Sequence, residues 1–302
     1  MIDTLRLFIR LSRPIFILGG MLLYALGVGI AHYMGVNIDW GVYLLGQAWV
    51  SLLQLSTQYL NEYFNSPADQ ENPNRTWLTG GSGALGEGKL PRRVALMAAY
   101  ACLAVLASLT VLLIAQVHPA PAVYLIMGLA FLGAVLYSTP PFKLEASGYG
   151  ELITSVMVAF LVPAFAYLLQ SNDLHRLIAM TAFPLTALHL AMLLIFELPD
   201  YATDLKFGKR TLVIRMGWQN GMVLHNALIL SAFVLLLLAG GLGFPRFAMW
   251  SGLISLPVGL LQIWQMRRIA SGVKPNWNAM TLGALALFAL TAYLITFSFW
   301  IN

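Results

Sequence analysis

Asn61, Asn65 and Asp69 recur every four residues, and Asp200 and Asp204 repeat that interval far downstream. On a helix this spacing stacks the side chains on one face. The first cluster reads Asn61-Glu62-Tyr63-Phe64-Asn65-Ser66-Pro67-Ala68-Asp69, and the second Glu197-Leu198-Pro199-Asp200-Tyr201-Ala202-Thr203-Asp204. Carboxylate and amide oxygens suit a hard cation such as Mg²⁺, which keeps some waters and bridges to phosphate oxygens. Two facing stacks would hold such ions between them and bind a diphosphate. Pro67 is expected to end or kink the first helix near Ser66, leaving Asp69 on the next turn or loop. For either cluster alone, a polar helix end among lipid headgroups is the plain alternative. Both together, on one membrane face, argue for a site.

The elements that must position them are apolar. Of 302 residues, 59% are hydrophobic and 10% charged, and the mean hydropathy is +0.77. Soluble domains carry about 25% charged residues, so the chain reads as a polytopic membrane protein. A charge at mid-bilayer depth costs about 2.5–3.5 kcal/mol on insertion scales, so carboxylates beside spans need a reason. Nine segments are long enough to cross, at 14–36, 41–64, 93–116, 119–138, 149–170, 174–196, 221–243, 246–267 and 277–301. The expected fold is all-α, one bundle around a central cavity opening to the cytoplasmic side, since backbone in lipid must satisfy its own hydrogen bonds. Four spans separate the clusters. That spacing suggests a single domain over 1–302, built from two similar four-helix halves (14–138 and 149–267) and a ninth helix (277–301).

Residues 1–14 carry Arg6, Arg10 and Arg13 on a short amphipathic stretch with no small-residue cleavage site. They are expected to lie along the cytoplasmic surface. With a cytoplasmic N-terminus and nine spans, all 17 Lys and Arg except Arg176 and Arg246 fall inside. That bias sets the orientation, with the active-site loops cytoplasmic and the C-terminus outside, in the cell (inner) membrane. The net charge of +5 follows topology and is no nucleic-acid signal. The single cysteine, Cys102, excludes an intrachain disulfide and argues against a Cys-based metal site.

The inner loops hold the remaining chemistry. Asn74-Arg75-Thr76-Trp77-Leu78-Thr79 leads into Gly80-Gly81-Ser82-Gly83, where backbone N–H groups can approach a phosphate and Arg75 can bind it. A flexible turn is the plain alternative. Tyr137-Ser138-Thr139-Pro140-Pro141-Phe142-Lys143 forms a stiff turn presenting Lys143, and Lys206 to Leu212 offers Lys209 and Arg210. Positive-inside anchoring is the alternative for these cations. The histidines at 32, 118, 175, 189 and 225 show no ligand spacing; His189 and His225 read as packing or pore-lining residues.

With these motifs in place, the chain resembles the UbiA superfamily of intramembrane prenyltransferases over nearly its whole length. That family carries NDxxDxxxD after the second span and DxxxD after the sixth. The second is intact here as Asp200-x-x-x-Asp204, within LPDYATDLKFGKRTLVIRMG, a run most similar to the 1,4-dihydroxy-2-naphthoate prenyltransferases of menaquinone synthesis. Arg10-Leu-Ser-Arg-Pro14, Asn-Arg-Thr before Gly-Gly-Ser-Gly, and Tyr-Ser-Thr-Pro-Pro-Phe-Lys are similar to that branch too. The first motif departs: Glu62 replaces an Asp and keeps its charge, whereas Asn65 replaces the central Asp and removes one.

The resemblance implies transfer of a polyprenyl group from a polyprenyl diphosphate to an aromatic acceptor, with 1,4-dihydroxy-2-naphthoate favoured. Other acceptors it admits are 4-hydroxybenzoate, homogentisate, a porphyrin derivative and a glycerol phosphate. It implies Mg²⁺ as cofactor, held by Asn61, Asn65, Asp69, Asp200 and Asp204, with Glu62 and Glu197 as further candidates. It implies diphosphate contacts from Arg75, Lys143, Tyr137, Lys209 and Arg210. An inactive binding homologue and a transporter are the competing readings. A transporter places ionisable residues along the whole path, whereas here they gather at one face. The long single Asp-rich motif of CDP-alcohol phosphotransferases is absent.

Overall fold

A computed structural model describes residues 2–302, and its regular structure is helical. After α1 (Ile2–Leu11), the chain runs through α2 (Pro14–Tyr33), α3 (Trp40–Gln70), α4 (Arg92–Val117) and α5 (Pro121–Ser138). A single 3₁₀ turn (Leu144–Ala146) leads to α6 (Gly150–Val156), a π-helical turn (Met157–Leu161) and α7 (Val162–Ser171), which together form one span. Then come α8 (Arg176–Glu197), the short α9 (Tyr201–Lys206) and α10 (Leu212–Met216), and α11 (Trp218–Gly241). The last elements are α12 (Arg246–Leu253), α13 (Leu256–Ala270) and α14 (Trp277–Ile301).

Among the described residues, eight helical segments are long and apolar enough to cross a membrane. The ninth expected span, α3, has the length but not the apolarity. Gln47, Gln54 and Gln58 interrupt it, and Gln54 and Gln58 face an internal cavity instead of lipid. A helix that lines a polar-mouthed cavity cannot be apolar all round.

Pro67 does not end α3, contrary to the sequence expectation. The helix continues through it to Gln70. A proline inside a helix removes the N–H that would serve the carbonyl four residues back. Here that carbonyl belongs to Tyr63, and it accepts a hydrogen bond from Arg92 Nε, whose guanidinium lies 4.2 Å from the Tyr63 ring centroid. With this substitute donor the helix persists, and Asn61, Asn65 and Asp69 stay on one continuous face.

Two cores hold the bundle. The larger joins α2, α7, α8, α11 and α14, with Leu23, Tyr24, Phe165, Leu185, Ile195 and Phe299 fully or nearly fully buried. The smaller packs α1 onto α3, α4 and the loop after α3 through Leu11, Tyr59, Leu60, Leu85 and Ala99. Asp39 caps α3 by accepting from the Gly41 and Val42 amides at 2.8 and 3.1 Å. Asn276 caps α14 by accepting from the Ala279 amide at 3.1 Å.

Candidate active site

A cavity of about 680 Å³ lies inside the bundle. Its walls are mainly apolar, including Ile126, Met157, Leu161, Phe165 and Phe288, and its polar end is where the two sequence clusters meet. Asn61, Asn65 and Asp69 line one side from α3; Glu197, Asp200 and Asp204 line the other from the end of α8 through α9. Ile15, Leu18 and Leu282 line the cavity while remaining 43%, 61% and 37% exposed, so it opens sideways between the N-terminal ends of α2 and α14.

The loop between α3 and α4 covers the polar end. Leu78, Thr79, Gly80 and Gly81 line the cavity. This loop grips the second cluster: the Gly80 amide donates to Asp200 Oδ2 at 3.2 Å, and Asn72 Nδ2 donates to Asp200 Oδ1. It is anchored on the first cluster through Glu62, whose carboxylate accepts from Ser82 N and Ser82 Oγ, both at 2.6 Å. Arg13 Nη1 lies 3.8 Å from Glu62, and Arg13 also donates to the Leu78 carbonyl. Glu62 is therefore engaged with the loop and does not line the main cavity.

The cations are divided. Lys209 lines the cavity and forms a 3.0 Å ion pair with Asp204, and Tyr137 lines it too. Arg75 folds back to donate to the Gly81 carbonyl at 2.9 Å and borders a smaller polar pocket of about 190 Å³ with Glu62, Asp69 and Lys89. Lys143 and Arg210 are exposed on neighbouring loops and do not line the cavity.

Five contributors were not singled out in the sequence. Glu145, from the 3₁₀ turn, is buried and lines the cavity, accepting from Asn61 and Asn65 through one oxygen. Asn72 and Arg13 hold the loop as described. Gln54 and Gln58 line the cavity deeper along α3, each with a buried Oε1 that has no hydrogen-bond partner among the described residues. Arg13 lay in a quoted motif and Glu145 two residues beyond another, whereas Gln54 and Gln58 carried no motif signal. His189 also lines the cavity, its Nδ1 3.0 Å from Ser155 Oγ and its ring edge-on to Phe288.

Burial, then the neighbouring Asp204 and Asp69, pushes the Asp200 carboxyl up to about 7, against the opposing pull of Asn72 and Lys209. Burial likewise raises Glu145 against Lys209 and its three hydrogen-bond donors. Burial alone would lower the Lys209 ammonium, but Asp204, Glu145 and Glu197 outweigh it and raise it. The site thus holds more carboxylates than cations, and Glu197 Oε2 is buried there without a partner among the described residues. Among those residues, no three Asp, Glu, His or Cys side chains converge into a metal cluster by themselves. The hard oxygen donors are split between two walls, an arrangement that fits cations bridged by a ligand's oxygens.

A lipid-accessible apolar cavity with an acidic, oxygen-rich end inside a helical bundle defines a membrane-embedded enzyme acting on an amphiphile. Residues 21–285 match the model of the UbiA prenyltransferase family, and the chain belongs to that family. It is 26% identical, over 89% of each chain, to 1,4-dihydroxy-2-naphthoate octaprenyltransferase of Escherichia coli (strain K12). Among solved structures, a digeranylgeranylglyceryl phosphate synthase superposes with a TM-score of 0.62 at 17% identity, covering 99% of this chain and 98% of that one. A UbiA homologue from Archaeoglobus fulgidus, bound to DMAPP and Mg²⁺, gives 0.61 at 18% identity over 95% and 98%. The chain is thus a multi-pass membrane prenyltransferase.

Proposed function

We propose that this enzyme transfers a polyprenyl group from a polyprenyl diphosphate to an aromatic acceptor, with 1,4-dihydroxy-2-naphthoate the favoured substrate. The observation that carries the reading is the meeting of two oxygen-rich walls at the end of an apolar cavity. The relative from Escherichia coli and the menaquinone-like run around Asp200 support the choice of acceptor. The Mg²⁺ complex of the Archaeoglobus homologue supports the choice of metal.

Asn61, Asn65 and Asp69 on one wall, with Asp200 and Asp204 on the other, are the residues that would hold Mg²⁺; Glu197 is a further candidate. The bound metal supplies Lewis-acid stabilisation of the departing diphosphate. Lys209 adds a fixed positive charge at the same wall, and Tyr137 a hydroxyl. As the allylic C1–O bond breaks, its electron pair leaves with the diphosphate. The apolar walls keep water from the carbocation. The acceptor's ring carbon then attacks C1, forming a C–C bond, and the substituent already on that carbon leaves as H⁺, or as CO₂ if it is a carboxylate, its bonding pair returning to the ring. Gln54 and Gln58 offer amides to acceptor hydroxyls. Arg75, beside the smaller pocket, and Lys143 and Arg210, exposed on neighbouring loops, would act on the diphosphate only as longer-range positive charges. The basic residues favour a cytoplasmic mouth and N-terminus in the cell membrane.

Mass spectrometry of products tests the reading. Purified protein in detergent is given a prenyl diphosphate, Mg²⁺ and a panel of dihydroxynaphthoate, 4-hydroxybenzoate, homogentisate, a porphyrin derivative and glycerol phosphate, with and without EDTA. Prenylated dihydroxynaphthoate, lost on chelation, is expected. Product from another acceptor alone would reassign the substrate, and no product from folded protein would refute the reading.

A further inference from the structure

We propose that Glu145 is a positioning residue of the first cluster, holding the amide N–H groups of Asn61 and Asn65 so that their oxygens are left for a cation. This rests on the reading of the cavity's polar end as a metal–diphosphate site.

Glu145 enters from a different element, the 3₁₀ turn after α5, yet its Oε2 is the meeting point of the first cluster. Asn65 Nδ2 donates to it at 2.7 Å, Asn61 Nδ2 donates to it as well, and Ser138 Oγ donates at 3.1 Å. Asn61 Nδ2 also reaches Ser138 Oγ at 3.2 Å. An amide can present either its donor or its acceptor end to a ligand, and its surroundings decide which. By taking an N–H from each amide, Glu145 leaves both Oδ1 atoms for a cation, and neither accepts a hydrogen bond from the described residues. Glu145 Oε1 makes no hydrogen bond with them either, and the residue lines the cavity. Residues that orient a metal's ligands in this way typically account for about 10–100-fold in affinity.

The arrangement reverses the obvious expectation for Asn65. An Asp there would carry no donor and would place its carboxylate against Glu145 at the present 2.7 Å separation. Two acceptor oxygens have no hydrogen to share, so the contact would be lost and the side chains pushed apart. Asn65→Asp, which makes the cluster more acidic on paper, is therefore expected to impair it. Combining it with Glu145→Gln exchanges carboxylate and amide across the same contact and keeps both the charge and the hydrogen bond.

The test is Mn²⁺ binding followed by electron paramagnetic resonance, on the full chain in detergent with inorganic pyrophosphate. Asn65→Asp and Glu145→Gln should each weaken binding about tenfold or more, and the double variant should return to within a few-fold of the unmodified protein. Unfolding midpoints would identify any variant lost to misfolding, and the double variant still carries the test in that case. Tighter binding by Asn65→Asp alone, or a double variant no better than the worse single one, would overturn the proposal. Asp204→Asn separates the two levels: unchanged Mn²⁺ binding in it would remove the site reading itself. Loss in Asp204→Asn with no coupling between positions 65 and 145 would remove only the role of Glu145.

Discussion

Glu62 and Ser82 are joined by two hydrogen bonds of 2.6 Å, one from the serine amide and one from its hydroxyl. Through this pair the first acidic cluster holds the glycine-rich loop, and the loop in turn holds Asp200. Hydrogen bonds to a buried charge contribute about 1.5–3 kcal/mol. Glu62→Gln should therefore lower the unfolding free energy by an amount in that range. It should also raise the KM for the prenyl diphosphate more than it lowers kcat. An unchanged KM with reduced stability would separate the loop from substrate binding.

Gly81 and Gly88 both have positive φ, at +74° and +68°. A Cβ at Gly88 would meet nothing within 4 Å, whereas one at Gly81 would lie 2.4 Å from Asp69 Oδ2. Each alanine substitution costs about 1–2 kcal/mol of backbone strain. Only Gly81→Ala must also displace Asp69. Activity should fall at least tenfold in Gly81→Ala and stay within about twofold in Gly88→Ala, read from initial rates at matched folded fractions. Equal losses in both would mean that strain alone, and not Asp69, sets the effect.

Much of this architecture was legible beforehand. Long apolar runs announce spans because nothing else in lipid satisfies the backbone, and the four-residue spacing announced two polar faces. The misreadings have local causes. Pro67 looked like a helix end, but the donor that replaces its missing N–H comes from Arg92, beyond the reach of a local pattern. Gln54 and Gln58 carry no motif that marks them, because a cavity is a property of the bundle and not of one helix. Glu145 carried no periodic signal, since its meeting with Asn61 and Asn65 is made by the turn after α5.

Gln54 and Gln58 present amide oxygens along the cavity wall that have no partner among the described residues. Buried polar atoms without partners are costly unless a ligand satisfies them. Gln58→Leu should raise the KM for the aromatic acceptor by about 5–30-fold, the equivalent of one lost hydrogen bond of about 1–2 kcal/mol, and leave the donor KM within twofold. Steady-state kinetics with each substrate varied in turn would show it. A change confined to the donor KM would assign this wall to the prenyl chain instead.

Trp49 lines the cavity about 18 Å along α3 from Asn61, counting 1.5 Å per residue. It packs against Phe165 at a ring-centroid distance of 5.2 Å and donates to Thr110 at 2.8 Å. Trp49→Ala removes apolar bulk from that end, at a stability cost of about 3–5 kcal/mol. In competition between donors of different length, the product ratio should shift toward the longer chain. A ratio unchanged in folded protein would place the chain terminus elsewhere.

The central claim is that residues from both walls act together on one diphosphate. Its most direct test is prenyl transfer measured for the unmodified enzyme beside Asp69→Asn and Asp204→Asn, with prenyl diphosphate, Mg²⁺ and dihydroxynaphthoate followed by mass spectrometry. Both single variants should lose about 10²-fold or more in rate, as removal of one group that stabilises developing charge typically does. A variant of either wall that keeps near-normal transfer would contradict a shared site.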